Sequence, residues 1–154
     1  MTVAVVTGAG SGIGRATAVA LARRGLDLAL VGRTESPLRE TATALTAVTG
    51  RVPRAIVVVA DVSVEGAVET AAATVLRELG TPRVVVNNAG IAGRKARIED
   101  TTAAEWDAVM GGNLRGVFLV TRAFLPAMRA AGTGRIVTIG SISSTLGTAG
   151  LSPY

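Results

Sequence analysis

The sequence predicts a doubly wound α/β domain built on a parallel sheet. Two observations carry this. Short β-branched runs alternate along the chain with longer alanine-rich stretches of helical period. The runs are also nearly unbroken in apolar residues, as strands buried on both faces must be. Strand, helix, strand repeated four times calls for right-handed crossovers, with helices covering both faces. The expected strands are residues 3–7, 26–31, 54–60, 83–86 and 135–139. Gly25 closes the first helix, Ser36-Pro37 opens the second and Gly50 closes it. Ser63 opens the third, which Gly80 and Pro82 stop. Thr102-Ala103-Ala104-Glu105 reads as a capping box, and a long helix is expected over residues 113–131. No linker or repeat interrupts the 154 residues, so they read as one domain.

Composition removes several kinds of chemistry. With no Cys and no His, the chain lacks the side chains for disulfides, thiolate nucleophiles, Ser/His triads, haem and ordinary zinc sites, and no metal is expected. The net charge of +5 comes from 16 basic and 11 acidic residues, but the arginines are scattered and the densest group is Arg94, Lys95 and Arg97. Only four aromatic residues are available to stack on bases, so no nucleic-acid partner is expected. Residues 1–22 lack a positive leading segment and are interrupted by glycines, and no long uncharged apolar window follows. The expectation is a cytoplasmic protein with no membrane association.

In a doubly wound sheet, ligands bind at the carboxyl ends of the strands, where strand order reverses. The unusual residues fall there. Thr7-Gly8-Ala9-Gly10-Ser11-Gly12-Ile13-Gly14 runs from the first strand straight into a helix. Without Cβ atoms such a backbone turns tightly, approaches a pyrophosphate and presents N–H groups at the positive helix end. Gly8, Ser11, Gly12, Ile13 and Gly14 are therefore dinucleotide-binding candidates, with a merely tight strand-to-helix turn as the alternative. After the second strand, where a carboxylate would hold a ribose, the chain has Val31-Gly32-Arg33. Arg33 suits a 2′-phosphate, which favours NADP(H) over NAD(H); the alternative is an ordinary surface arginine. Asp61 with Val62 follows the third strand, where the carboxylate either accepts from an adenine amino group or caps the next helix. Asn87-Asn88-Ala89-Gly90 ends the fourth strand, with amides to tie loops together and small residues to admit a ribose. Asn113 either caps a helix break after Gly111-Gly112 or holds water in the site.

The glycine motif, Asp61, Asn87 to Gly90, Asn113 and the interval from Ser141 to Tyr154 match in order and spacing. The sequence thereby resembles the short-chain dehydrogenase/reductase family over its whole length. The resemblance implies a Rossmann-like NAD(P)-binding fold and hydride transfer between nicotinamide and a small carbonyl or alcohol substrate. It also implies that Tyr154 is the acid/base, that Ser141 bonds the reacting oxygen and that Asn113 positions a water of the proton relay. A free tyrosine has a pKa near 10, so about one in a thousand is phenolate at pH 7. The family lowers that value with a lysine four residues beyond the tyrosine, a position past residue 154, and Lys95 is not expected to replace it. The expectation is a C-terminally incomplete domain, the front part of such an enzyme, with little or no activity by itself. The alternative is a non-catalytic dinucleotide-binding sensor or interaction module. Family members commonly form homo-oligomers. On the long helix, Val117, Phe118, Phe124 and Met128 are expected to face the sheet, with partner packing as the alternative.

Overall fold

The computed structural model describes residues 2–48 and 54–154. Gly50, expected to close the second helix, lies outside the described residues. Strand β1 (Val3–Thr7) is the centre of a five-stranded parallel sheet that also contains β2 (Asp27–Gly32), β3 (Ala55–Val59), β4 (Val84–Asn87) and β5 (Arg135–Thr138). The strand order is β3-β2-β1-β4-β5, so the chain winds outward from β1 in one direction and then returns to build the other side. The point of reversal lies between β1 and β4, which makes their carboxyl ends the natural ligand crevice. Val5 sits opposite both Ala29 and Val85. The predicted strands are observed, with β2 and β4 each displaced by one residue.

The period of two divides the apolar residues between two cores. Ala4, Val6, Leu28, Leu30 and Val86 pack toward Ala18, Ala22, Leu38 and Leu45 of α1 (Gly12–Arg23) and α2 (Glu35–Val48). Val5, Ala29, Val31, Val58 and Val85 pack toward Val68, Ala72, Val75, Leu119 and Phe124 of α3 (Glu65–Glu78) and α5 (Gly116–Ala130). Phe124 and Met128 are core residues as expected, but Phe118 points outward and lies under the Arg122 guanidinium, 5.3 Å from it. The edge strand β5 is exposed along its length.

Three helix boundaries differ from expectation for identifiable reasons. Helix α2 begins at Glu35, so Ser36-Pro37 lies within its first turn, where proline costs no hydrogen bond. Helix α3 begins after Val64, not at Ser63, because the Ser63 N–H and hydroxyl both donate to the Asp61 carboxylate, at 2.9 and 2.7 Å. No break follows Gly111-Gly112: α4 (Ala103–Met110) continues through a π-turn (Gly111–Arg115) into α5, which places Asn113 in mid-helix. Gly25 and Gly80 do close α1 and α3, with φ of 82° and 89°.

The capping box on α4 is formed as expected: Glu105 N–H donates to the Thr102 hydroxyl, and Thr102 N–H donates to the Glu105 carboxylate. Arg94 also donates to Glu105. The Arg94 bonds, followed by those from Thr102, hold the carboxyl at about 2, against its ordinary 4.5. A depressed folded-state value means that the ionised form favours folding. This contribution is complete above pH 4.5 and is lost as pH falls toward 2. Thermal melts across that window should therefore show a steeper fall in Tm for the wild type than for Glu105→Gln, whereas parallel curves would contradict the assignment.

Candidate active site

The turn after β1 closes on itself. Gly8 has φ 64°, and a Cβ on Gly14 would come within 2.2 Å of the Gly8 carbonyl oxygen. Ser11 precedes α1 in extended conformation without capping it by its side chain, so its hydroxyl is not spent on the helix end. Ser11, Gly12 and Ile13 form the exposed rim, and Gly14 is buried. The loop is braced from below and from the side. The Thr7 hydroxyl donates to the Val86 carbonyl and accepts from the N–H groups of Asn88 and Ala89, at 2.9 and 3.0 Å. The Asn88 amide donates back to the carbonyls of Thr7 and Gly8. Arg15 donates to the Gly10 carbonyl at 2.6 Å, and Thr41 donates to that of Ala9 at 2.9 Å. Arg15 and Thr41 were not picked out from the sequence, nor was the bracing role of Thr7. The signals were a lone hydroxyl ending an otherwise apolar strand and a base directly following the last glycine.

Two clefts meet at Ala89, Gly90 and Ile91. One, of about 140 Å³, is walled by Gly8, Arg33, Asp61, Val62, Ser63 and Gly112 together with those three. Burial pushes the Asp61 carboxyl up, but the two Ser63 bonds and the Arg33 charge outweigh it and leave the pKa below the ordinary value. Asp61 is thus an anion beside a cation. Neither Asp61 nor Ser63 caps α3. The other cleft, of about 370 Å³, contains Ile13, Asn88, Asn113, Ser141, Ser144 and Tyr154. Ser141 opens a short 3₁₀ turn, and its oxygen accepts from Ser143 N–H at 3.1 Å. Tyr154 is held at its backbone by the Leu151 carbonyl, with its side chain half exposed. The loop behind it is fixed by a bridge between Ala96 and Leu151 and by the stem of Lys95 against Gly150, so Lys95 is not among the cleft residues.

Asn113 does not cap a helix break, because the helix runs on through it. Its oxygen accepts from Ile91 N–H at 2.8 Å and its NH₂ donates to the Ile91 carbonyl at 2.9 Å, which spends the amide on the opposite wall. The Asn87 amide donates to Thr121, and its own oxygen is buried without a partner. Among the described residues no helix is long and apolar enough to cross a membrane, and no cluster of acidic residues has metal-site geometry.

The short chain dehydrogenase family model matches residues 2–154. The chain belongs to this family. Levodione reductase of Leifsonia aquatica is 40% identical over 152 residues, 99% of this chain and 57% of that protein. Among solved structures, an alcohol dehydrogenase from the archaeon Thermococcus sibiricus, complexed with 5-hydroxy-NADP, superposes with a TM-score of 0.91 at 35% identity. That match covers 100% of this chain and 64% of the other. NAD+-bound xylitol dehydrogenase superposes with a TM-score of 0.93 at 31% identity, covering 99% and 58%. The chain therefore spans less than two thirds of the length of these short-chain dehydrogenases. Its doubly wound, Rossmann-like sheet is theirs.

Proposed function

We propose that these residues form the dinucleotide half and part of the catalytic cleft of an NADP(H)-preferring oxidoreductase acting on a small carbonyl or alcohol substrate. The observation that carries the reading is the meeting of Asn113, Ser141 and Tyr154 in one cleft beside the glycine loop. The loop fits a dinucleotide because a Cβ at Gly8 or Gly14 would occupy the space that brings backbone against backbone. Gly8, Ser11, Gly12, Ile13 and Gly14 would hold the pyrophosphate, Asp61 and Val62 the adenine, Arg33 a 2′-phosphate, and Asn88, Ala89 and Gly90 the ribose of the nicotinamide half.

The chemistry a nicotinamide dinucleotide supplies when bound is hydride transfer to or from carbon. The Tyr154 hydroxyl gives or takes the proton at the reacting oxygen. Ser141, whose oxygen already accepts from Ser143, keeps its own proton to donate to that same oxygen. Asn113 fixes the Ile91 wall through its side chain and would position the water of the proton relay beside it. Incubation of the protein with NADPH and a panel of aldehydes and ketones tests the reading. Any transfer should yield one alcohol per oxidised cofactor, at a low rate from these residues alone. Tight NADPH binding without transfer to any substrate would favour the non-catalytic dinucleotide-binding module instead.

Relatives bind either form of the cofactor, as the NADP-analogue and NAD+ complexes show for those proteins. For this chain, Arg33 is the cation at the mouth of the adenine-side cleft. Arg33→Ala should lower the ratio of NADPH to NADH affinity by about tenfold. An unchanged ratio would return Arg33 to the ordinary surface.

A further inference from the structure

We propose that Arg115 is a positioning residue for the adenosine half of the dinucleotide, an inference that rests on the reading above. The π-turn Gly111–Arg115 carries Asn113 and Arg115 two positions apart. At that spacing on a helix, side chains leave in roughly opposite directions. Each takes a different wall of the same cleft. Asn113 closes on both backbone groups of Ile91. Arg115 reaches the other way and donates to the Ser63 carbonyl, with its second nitrogen 3.4 Å from Glu65. Ser63 in turn gives its N–H and hydroxyl to Asp61, so the loop that would meet the adenine is tied through one residue to the helix. Gly112, directly before Asn113 in the same turn, lines the cleft along with Asp61, Ser63 and Ile91.

One turn of helix therefore sets the separation of the two walls. Arg115 does this from the surface: its side chain is 51% exposed, and its charge is balanced by Glu65, which Arg122 also engages. Its removal opens no core cavity, and it is not itself placed to bind phosphate. The consequence is selective. Loss of Arg115 frees the Asp61–Ser63 wall and leaves the glycine loop, Ser141 and Tyr154 with all their own contacts.

The test compares two probes on the same protein. In Arg115→Met, Kd for NADPH should rise roughly tenfold. Kd for reduced nicotinamide mononucleotide, which lacks the adenosine half, should stay within about twofold, and Arg115→Lys, which keeps a donor toward Ser63, should recover most of the NADPH affinity. Equal weakening toward both probes would mark a general structural defect and overturn the proposal, as would unchanged NADPH affinity. If the Met variant does not fold, Arg115→Gln, too short to span to Ser63, carries the same expectations. Failure of the unaltered protein to bind NADPH would overturn the underlying reading, and this inference with it.

Discussion

Gly14→Ala is expected to unfold the glycine turn and abolish dinucleotide binding, at a cost of about 3 kcal/mol in stability. The new Cβ would stand 2.2 Å from the Gly8 carbonyl oxygen and 2.5 Å from the Asn88 amide nitrogen. Neither neighbour is free to retreat. Gly8 is fixed by its place at the end of β1, and Asn88 by its bonds to the Thr7 and Gly8 carbonyls. Relief must come from moving α1 away from the sheet, which also exposes Ala18 and Ala22 of the core. Denaturant unfolding with a parallel NADPH titration measures both effects. Gly66→Ala provides the contrast: it lies in α3 with open space around its would-be Cβ, and the change should leave stability equal or raise it by about 0.5 kcal/mol. If both variants behave alike, the loss at Gly14 has nothing to do with close approach.

In the proposed oxidoreductase, Tyr154→Phe should lower turnover by about a thousandfold while leaving the Kd for NADPH within twofold. The sequence contains one tyrosine, and its ring lines the cleft with Ser141 and Asn113. Phenylalanine keeps the ring and deletes only the hydroxyl proposed to exchange a proton. The asymmetry follows from the proposed layout, in which the adenine side would use Asp61 and Arg33, in the other cleft. Single-turnover measurements with a carbonyl substrate would separate the two quantities. A loss of less than about tenfold would mean that the proton comes from elsewhere.

Much of this architecture could be read from local pattern alone. Strand β1 was legible to the residue because all five of its side chains are buried, and an unbroken apolar run has few other homes. The capping box was legible because its two partners lie three residues apart. What could not be read depended on distant partners. Ser63 was taken for a cap, but the Asp61 carboxylate two residues earlier competes for the same hydrogen bonds. The glycine pair before Asn113 suggested a break, since glycine is a weak helix former. Pairing of Asn113 with Ile91, 22 residues upstream, goes with a continuous, locally widened helix instead. The bracing role of Thr7, at the head of the glycine motif, was hidden for the same reason: its hydroxyl is satisfied by groups 81 and 82 residues away. The positions that the resemblance marks as catalytic and cofactor-binding stood out by spacing, and the structure adds how their neighbours hold them.

The hydroxyl of Thr7 also makes the glycine turn depend on a strand far along the chain. The glycine turn follows β1 directly, and β1 pairs with β2, the next strand in the chain. Its other neighbour, β4, must cross back past α2 and α3 before Ala4 can lie opposite Val84. Long-range parallel pairing of this kind is the slow part of building such a sheet, because the loop-closure entropy is spent before any contact offsets it. Until then Thr7 lacks the N–H groups of Asn88 and Ala89, and Gly8 lacks its brace. Affinity for the proposed dinucleotide would thus report that the sheet is complete across β1 and β4, and a chain with only the first three strands in register would have the motif without its brace.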